Sequence, residues 1–242
     1  MTIYPYLDFS KRTYIMGIIN VTSDSFSGDG ILNNQDAIHA AVEQAQRFVD
    51  AGADILDIGG ESTRPGSQPV TAEEEQERVL PVVRAITSSG LDAIISIDTY
   101  KASVAEAAVK AGAHWINDVW GLHADPNLAE IAARNRTPLV LMHNRSKPSN
   151  AQLQELLGGR YIGVDYQELI EDIKRELMDS VSIARSAGVE DEMIILDPGI
   201  GFGKTVEQNL ELIRRLDELK SLGFPILLGP SRKSFIGYTL NL

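Results

Sequence analysis

No cysteine occurs in the 242-residue chain, which excludes disulfides, thiolate catalysis and sulfur-ligated metal. Basic residues are scarce as well, 22 Lys and Arg against 34 Asp and Glu, for a formal charge of −12. Such a surface repels phosphate backbones and anionic lipid, so no nucleic-acid partner is expected, although a local basic pocket could hold a small anion. The four histidines, His39, His114, His123 and His143, lie far apart without His-x-x-x-His spacing, which argues against a pre-built zinc site. Long apolar runs are missing too. No window reaches ~18 uninterrupted apolar residues, and Met1 to Arg12 has no apolar stretch of signal-peptide length. A cytoplasmic protein with no membrane partner is expected.

What is present is a repeating pattern. With 43% hydrophobic and 23% charged residues, the chain can bury one substantial core, so residues 1–242 are expected to form a single domain. Thr13 to Ile19 is β-rich and ends at Asn20; a polar segment follows, then apolar residues at helical spacing from Ala37 to Val49, with Asp36 as the expected cap. Ile55 to Ile58 runs into Gly59-Gly60-Glu61, after which Thr71 and Glu74 form a capping box for a helix through Ile86. Ala93 to Ile97 ends in Asp98-Thr99 and Trp115-Ile116 in Asn117-Asp118, followed by helices near 101–110 and 126–134. Leu139 to Met142 ends in His143-Asn144, Met193 to Leu196 in Asp197, and Ile226 to Leu228 in Gly229-Pro230-Ser231-Arg232-Lys233.

Strands of this kind, alternating with helices, predict a parallel sheet, and the count favours an α/β fold, a TIM (β/α)8-type barrel with seven of its eight strands evident. The segment 145–163 breaks the rhythm and is expected to be a mobile insertion before a long helix near 165–187.

The stretch Asp197-Pro198-Gly199-Ile200-Gly201-Phe202-Gly203-Lys204-Thr205 delivers a carboxylate from a buried strand into a glycine-rich turn. A phosphate loop would need glycine where Pro198 stands, and a dinucleotide fingerprint would need it at Lys204, so both readings fail. In barrels the C-terminal strand ends converge on one rim. Here they bring Asn20, Glu61, Arg64, Asp98, Asn117, His143, Asn144, Asp197 and Lys233, with Asp98 and Asp197 expected to face each other across the mouth. Carboxylates accepting in-plane N–H bonds, amides doing both and a lysine donating suit a flat, nitrogen-rich heterocycle. The bland alternative makes Asp98-Thr99 a helix cap and Asn117-Asp118 a turn.

Six ordered motifs resemble the dihydropteroate synthase family: 16–27, 57–66, 96–99, 116–118, 197–204 and 229–233. The resemblance spans Thr13 to Ile236. It implies transfer of a pterinylmethyl group, joining 6-hydroxymethyl-7,8-dihydropterin pyrophosphate to 4-aminobenzoate with magnesium, and small molecules as the partners, with a homodimer as the common assembly. By motif, Asp98, Asn117, Asp197 and Lys233 would hold the pterin, and Asn20 would sit at the magnesium–pyrophosphate end. Asp24 and Arg64 would close two loops over the reactants as catalytic residues alongside Lys233. Thr63, Pro65, Phe26, Phe202 and Ser234 would frame the aminobenzoate slot, with Met142 and Gly229 against the ring.

Ser23 replaces the family's usual proline, Gly28-Asp29-Gly30 varies its Asp-Gly-Gly, and no Arg-x-His follows Lys233, where the family anchors pyrophosphate. The sequence is therefore expected to be a fragment lacking the last strand and helix. A pterin-binding protein without synthase activity, or a pterin-dependent methyltransferase, are the alternatives; the 63–66 and 231–234 motifs favour the synthase.

Overall fold

Period-two alternation along each strand decides which residues face helices and which face the barrel interior. The computed structural model describes residues 2–3, 7–21, 34–62, 69–146 and 165–241. A short antiparallel hairpin, β1 (Thr2–Ile3) with β2 (Leu7–Asp8), precedes six parallel strands, β3 (Met16–Asn20), β4 (Ile55–Gly59), β5 (Ile94–Asp98), β6 (Trp115–Asp118), β7 (Leu139–Met142) and β8 (Ile194–Asp197). These pair in chain order. Helices α1 (Asn34–Asp50), α2 (Ala72–Ser88), α3 (Ala102–Lys110), α4 (Asn127–Asn135), α5 (Leu169–Ser186) and α6 (Val206–Arg214) follow them one by one, and α7 (Ser234–Leu240) comes last. Sequential parallel pairing with a helix in each crossover is the winding of a (β/α) barrel.

The expected seventh strand is present only as a parallel bridge between Leu196 and Ile226, with the Leu227 N–H donating to the Leu196 carbonyl at 2.9 Å. Pro225 has no N–H to donate and Gly229-Pro230 ends the extended run, so the pairing goes no further.

Two cores result. On the helix side, residues such as Ile19, Leu56, Ile58, Ile97, Ile116 and Leu196 pack beneath the helices. On the inner side, Ile55, Ile94, Trp115, Val140 and Ile195 form a second cluster with Leu7 of β2, flanked by Phe9, Tyr14, Met16 and Leu227. The N-terminal hairpin, which the sequence pattern did not reveal, closes the floor of the barrel through Leu7.

Helix ends show local chemistry at work. Thr71 Oγ1 accepts from the Glu74 N–H at 3.2 Å and the Glu74 carboxylate accepts from the Thr71 N–H at 3.0 Å, the expected capping box, a type of device that contributes about 1 kcal/mol. Asp36 is not a cap: α1 begins at Asn34, which puts Asp36 in the first turn, where its charge favours the helix dipole. The α3 N-terminus draws its acceptor from the next unit, with the Ala102 N–H on Asp125 Oδ2 at 2.9 Å. The helix expected near 165–187 runs from Leu169 to Ser186 because the Glu168 side chain accepts from the Glu171 N–H at 2.7 Å and starts it there. Most of the expected insertion, residues 147–163, lies outside the described residues. No described helix is long and apolar enough to cross a membrane.

Candidate active site

The inner face that carries the apolar floor turns polar one step further along β4, β5, β6 and β8. Asp57, two residues after Ile55, accepts from the Asn117 side-chain amide at 2.9 Å. Across the ladder it stands beside Ser96, and Asp57 Oδ1 and Ser96 Oγ are both buried without a hydrogen-bond partner among the described residues. A buried oxygen left in that state costs roughly 1–3 kcal/mol, so this layer is built for polarity rather than stability. Burial pushes the Asp57 carboxyl above its ordinary range, with the Asn117 amide pulling the other way.

One register step higher are Asp98 and Asn117, paired across β5 and β6, and Met142 and Asp197, paired across β7 and β8. Burial, then the charges of Asp57, Glu75 and Asp118, push Asp98 well above the usual carboxylate range, with Lys233 opposing. Asp197 is raised to about 6 by burial, against the Gly199 N–H, Lys233 and Lys204. Lys233 is therefore the cation common to the two carboxylates expected to face each other. The two halves of Asn117-Asp118 divide the alternative readings between them: Asn117 points inward to Asp57, while Asp118 makes the turn, accepting from the Trp120 and Leu122 N–H groups at 2.8 and 2.6 Å. Thr99 is likewise local, its hydroxyl accepting from the Lys101 N–H at 3.2 Å.

The glycine turn after β8 holds its shape by close approach. Asp197 Oδ1 accepts from the Gly199 N–H at 2.7 Å, so a ligand N–H would go to Oδ2. Gly199 has φ +71°, and a Cβ there would come within 1.9 Å of the His143 carbonyl oxygen. Gly201 has φ +79°, and a Cβ would meet Lys233 Cδ at 2.8 Å, so only glycine lets that lysine cross the turn. The Phe202 ring then receives Lys233 Nζ at 4.0 Å from its centroid, a cation–π contact that fixes the ammonium beside the carboxylates.

Other expected residues fall differently. Gly229 has open space around it, and a side chain there would meet nothing within 4 Å. Asn20 ends β3 exposed, at the same rim. Ser234 opens α7 and lines a separate cavity of about 360 Å³ with Gly201, Thr205, Val206, Phe235 and Tyr238. The walls of that cavity include none of Asp98, Asn117, Asp197 or Lys233. Glu61 is bound by Lys101 and the Tyr100 hydroxyl, and Lys101 also binds the buried Glu75, so Glu61 serves the stem of its loop. Asp24, Phe26, Thr63, Arg64 and Pro65 lie outside the described residues. Among the described residues no group of three or more His, Cys, Asp or Glu could hold a metal.

Three polar groups escaped the sequence reading. Asp57 and Ser96 were visible only as polar residues inside apolar runs at period two from a strand end. The third is a buried chain, of which the sequence pattern offered only His143, as a rim residue: Lys204 Nζ donates to His143 Nδ1 at 3.0 Å, and His143 Nε2 meets Glu176 Oε2 at 3.0 Å. Its members are too far apart in sequence for spacing to show it.

The comparisons agree with this geometry. Residues 16–242 match the family described as pterin binding enzyme. The dihydropteroate synthase of Clostridium beijerinckii is 51% identical over 235 residues, 97% of this chain and 80% of that protein. The crystal structure of the Clostridium difficile dihydropteroate synthase with pteroic acid superposes with a TM-score of 0.87 at 48% identity, covering 98% of this chain and 82% of that one. A Xanthomonas albilineans dihydropteroate synthase solved with 4-aminobenzoic acid gives a TM-score of 0.84 at 38% identity, over 96% and 77% of the two chains. With the carboxylate–amide–lysine rim in place on a barrel of this winding, the chain belongs to the pterin-binding enzymes and, among them, to the dihydropteroate synthase family.

Proposed function

We propose a division of labour for this dihydropteroate synthase, which condenses 6-hydroxymethyl-7,8-dihydropterin pyrophosphate with 4-aminobenzoate to 7,8-dihydropteroate and pyrophosphate. Asp197, Asp98 and Asn117 receive and give the in-plane hydrogen bonds of the pterin ring, Met142 packs on it, and Lys233 donates to it. The observation that carries this reading is the placement of buried Asp197 and partly buried Asp98 at the ends of β8 and β5, with the Lys233 ammonium held over the ring of Phe202 in the turn that follows Asp197. Departure of pyrophosphate leaves a cation on the exocyclic methylene, delocalised into the electron-rich ring. Carboxylates already buried around that ring favour the positive charge in place, which is electrostatic catalysis without a side-chain nucleophile.

Phe202 and Ser234, with Thr63, Pro65 and Phe26, frame the 4-aminobenzoate; Asp24 and Arg64 close over the reactants and exclude water, which would otherwise compete for the cation. Asn20 offers an exposed amide oxygen at the rim, and a magnesium ion needs only one or two protein oxygens when substrate phosphates and water complete its shell. The residue set therefore fits Mg²⁺ held by Asn20 and the pyrophosphate, where it would neutralise charge on the leaving group. A homodimer is supported by the exposed apolar side chains of Leu210 and Ile213 on α6 and Tyr238 and Leu240 on α7.

The test is pyrophosphate release with and without 4-aminobenzoate, on this chain and on Asp197→Asn. Release that needs the amine and is lost in the variant is expected. Release indifferent to the amine, or undiminished in the variant, would overturn the assignment of the ring site.

A further inference from the structure

Behind the ring site lies a line of charged groups that the reaction itself does not call for. Lys204 is buried at 1% exposure, yet its ammonium is satisfied three ways, by His143 Nδ1 at 3.0 Å, the Gly199 carbonyl at 3.0 Å and the Phe202 carbonyl at 3.2 Å. Three donors meet three acceptors. Because His143 Nδ1 accepts, its Nε2 must carry the proton that reaches Glu176 Oε2, so the ring is neutral and its tautomer fixed by both neighbours. Burial, then the Lys204 charge, hold His143 down at about 4, which agrees with a neutral imidazole. Glu176 is tied in turn by the Arg145 guanidinium, which stacks on Tyr166 at 4.1 Å and donates to the Asp165 carbonyl at 2.7 Å.

The two carbonyls that Lys204 grips belong to the turn whose Gly199 N–H holds Asp197 Oδ1 and whose Phe202 ring holds Lys233. We propose that Lys204 is a positioning residue of the pterin site: its ammonium fixes the glycine turn behind Asp197 and supplies positive charge against that buried carboxylate, while His143, Glu176 and Arg145 hold the ammonium in place. The inference rests on the reading of Asp197 as a ring ligand.

Its electrostatic consequence has a definite sign. The charges acting on Lys204 are Asp197 on β8, Arg145 beyond β7, Glu176 on α5 and Lys233 ahead of α7, and burial pulls Lys204 down to about 7. Those acting on Asp197 are Lys233, Lys204 and Asp57. Lys204 and Lys233 both lower the Asp197 pKa, so removing the Lys204 charge raises it. A protonated Asp197 loses part of its capacity to accept ring N–H bonds, and the acid limb of pterin binding moves to higher pH.

The experiment measures the affinity of 6-hydroxymethylpterin by fluorescence from pH 5 to 9 on the wild-type chain, Lys204→Met, Glu176→Gln and Asp197→Asn. Differences between variants cancel the ligand's own titration. In Lys204→Met the acid limb is expected to move up by about one pH unit, with affinity near pH 6 falling about fivefold. Glu176→Gln, which leaves the barrel floor and the ring ligands intact, removes a charge that favours the Lys204 ammonium and gives a smaller shift in the same direction. A merely structural role would lower the melting temperature and leave the limb in place, and that outcome overturns the proposal. Should Lys204→Met fail to fold, an unmoved limb in Glu176→Gln overturns it equally. Undiminished binding by Asp197→Asn would sink the ring-site reading instead, a result distinguishable from either.

Discussion

Ile195 and Asp197 leave the same face of β8, yet Ile195 belongs to the apolar floor with Trp115 and Leu7, and Asp197 to the charged mouth. The same step separates Ile55 from Asp57, Ile94 from Ser96, and Trp115 from Asn117. Stability and chemistry are thus stacked along one axis, two residues apart on β4, β5, β6 and β8. The floor removes apolar area from water at roughly 25 cal/mol per Å², whereas the mouth holds carboxylates that burial disfavours.

If the two ends are separable in energy, substitutions should affect one without the other. Trp115→Ala is expected to lower unfolding free energy by about 3–5 kcal/mol in urea titrations, while the folded fraction keeps its pterin affinity. A large affinity loss would mean that the floor shapes the mouth.

Asp197→Asn should do the reverse, reducing kcat/KM by about a hundredfold with no loss of stability at neutral pH. Its pH signature follows from the sign of the shift. A carboxyl raised from 3.8 to about 6 in the folded state stabilises the fold below pH 4, and that contribution is lost as pH rises to 6. Relative to wild type, the variant should therefore gain roughly 2–3 kcal/mol between pH 4 and pH 6, measured by denaturant titration at each pH.

Asn117→Leu sits at the join and should move both readouts. Loss of the amide donor leaves Asp57 without that partner at a cost of about 1–3 kcal/mol, and pterin binding weakens in calorimetry. Ile195→Val, confined to the floor, should cost only about 0.5–1.5 kcal/mol in thermal unfolding and leave catalysis unchanged. A catalytic defect there would break the separation at its most conservative point.

How far the sequence could be read follows the same division. Strand ends are local signals, so Asp98, Asn117, Asp197 and Lys233 could be picked out by position, and Thr71 with Glu74 announced a helix start that the structure bears out. Inside an apolar run, inner and outer faces look alike, which is why Asp57 and Ser96 passed without a role. The Lys204–His143–Glu176 chain joins residues 61 and 33 positions apart, and no local pattern encodes such a contact. Ser234 was placed with the aminobenzoate by motif, and the cavity it lines between α6 and α7 is a tertiary feature that no local pattern shows. The seventh strand shrank to a bridge because prolines flank it, a limit that hydrophobic runs alone do not show.

The hairpin that closes the floor also bears on how the chain reaches its native state. Leu7 packs in one cluster with Ile195 and beside Leu227, partners nearly the whole chain away, so this contact has very high contact order and must wait for the strands between to assemble. During synthesis the N-terminal segment emerges first and is seated among the last. Trp115, in that same cluster and one of only two tryptophans, is placed to report this final step, so its fluorescence should change in the slowest refolding phase.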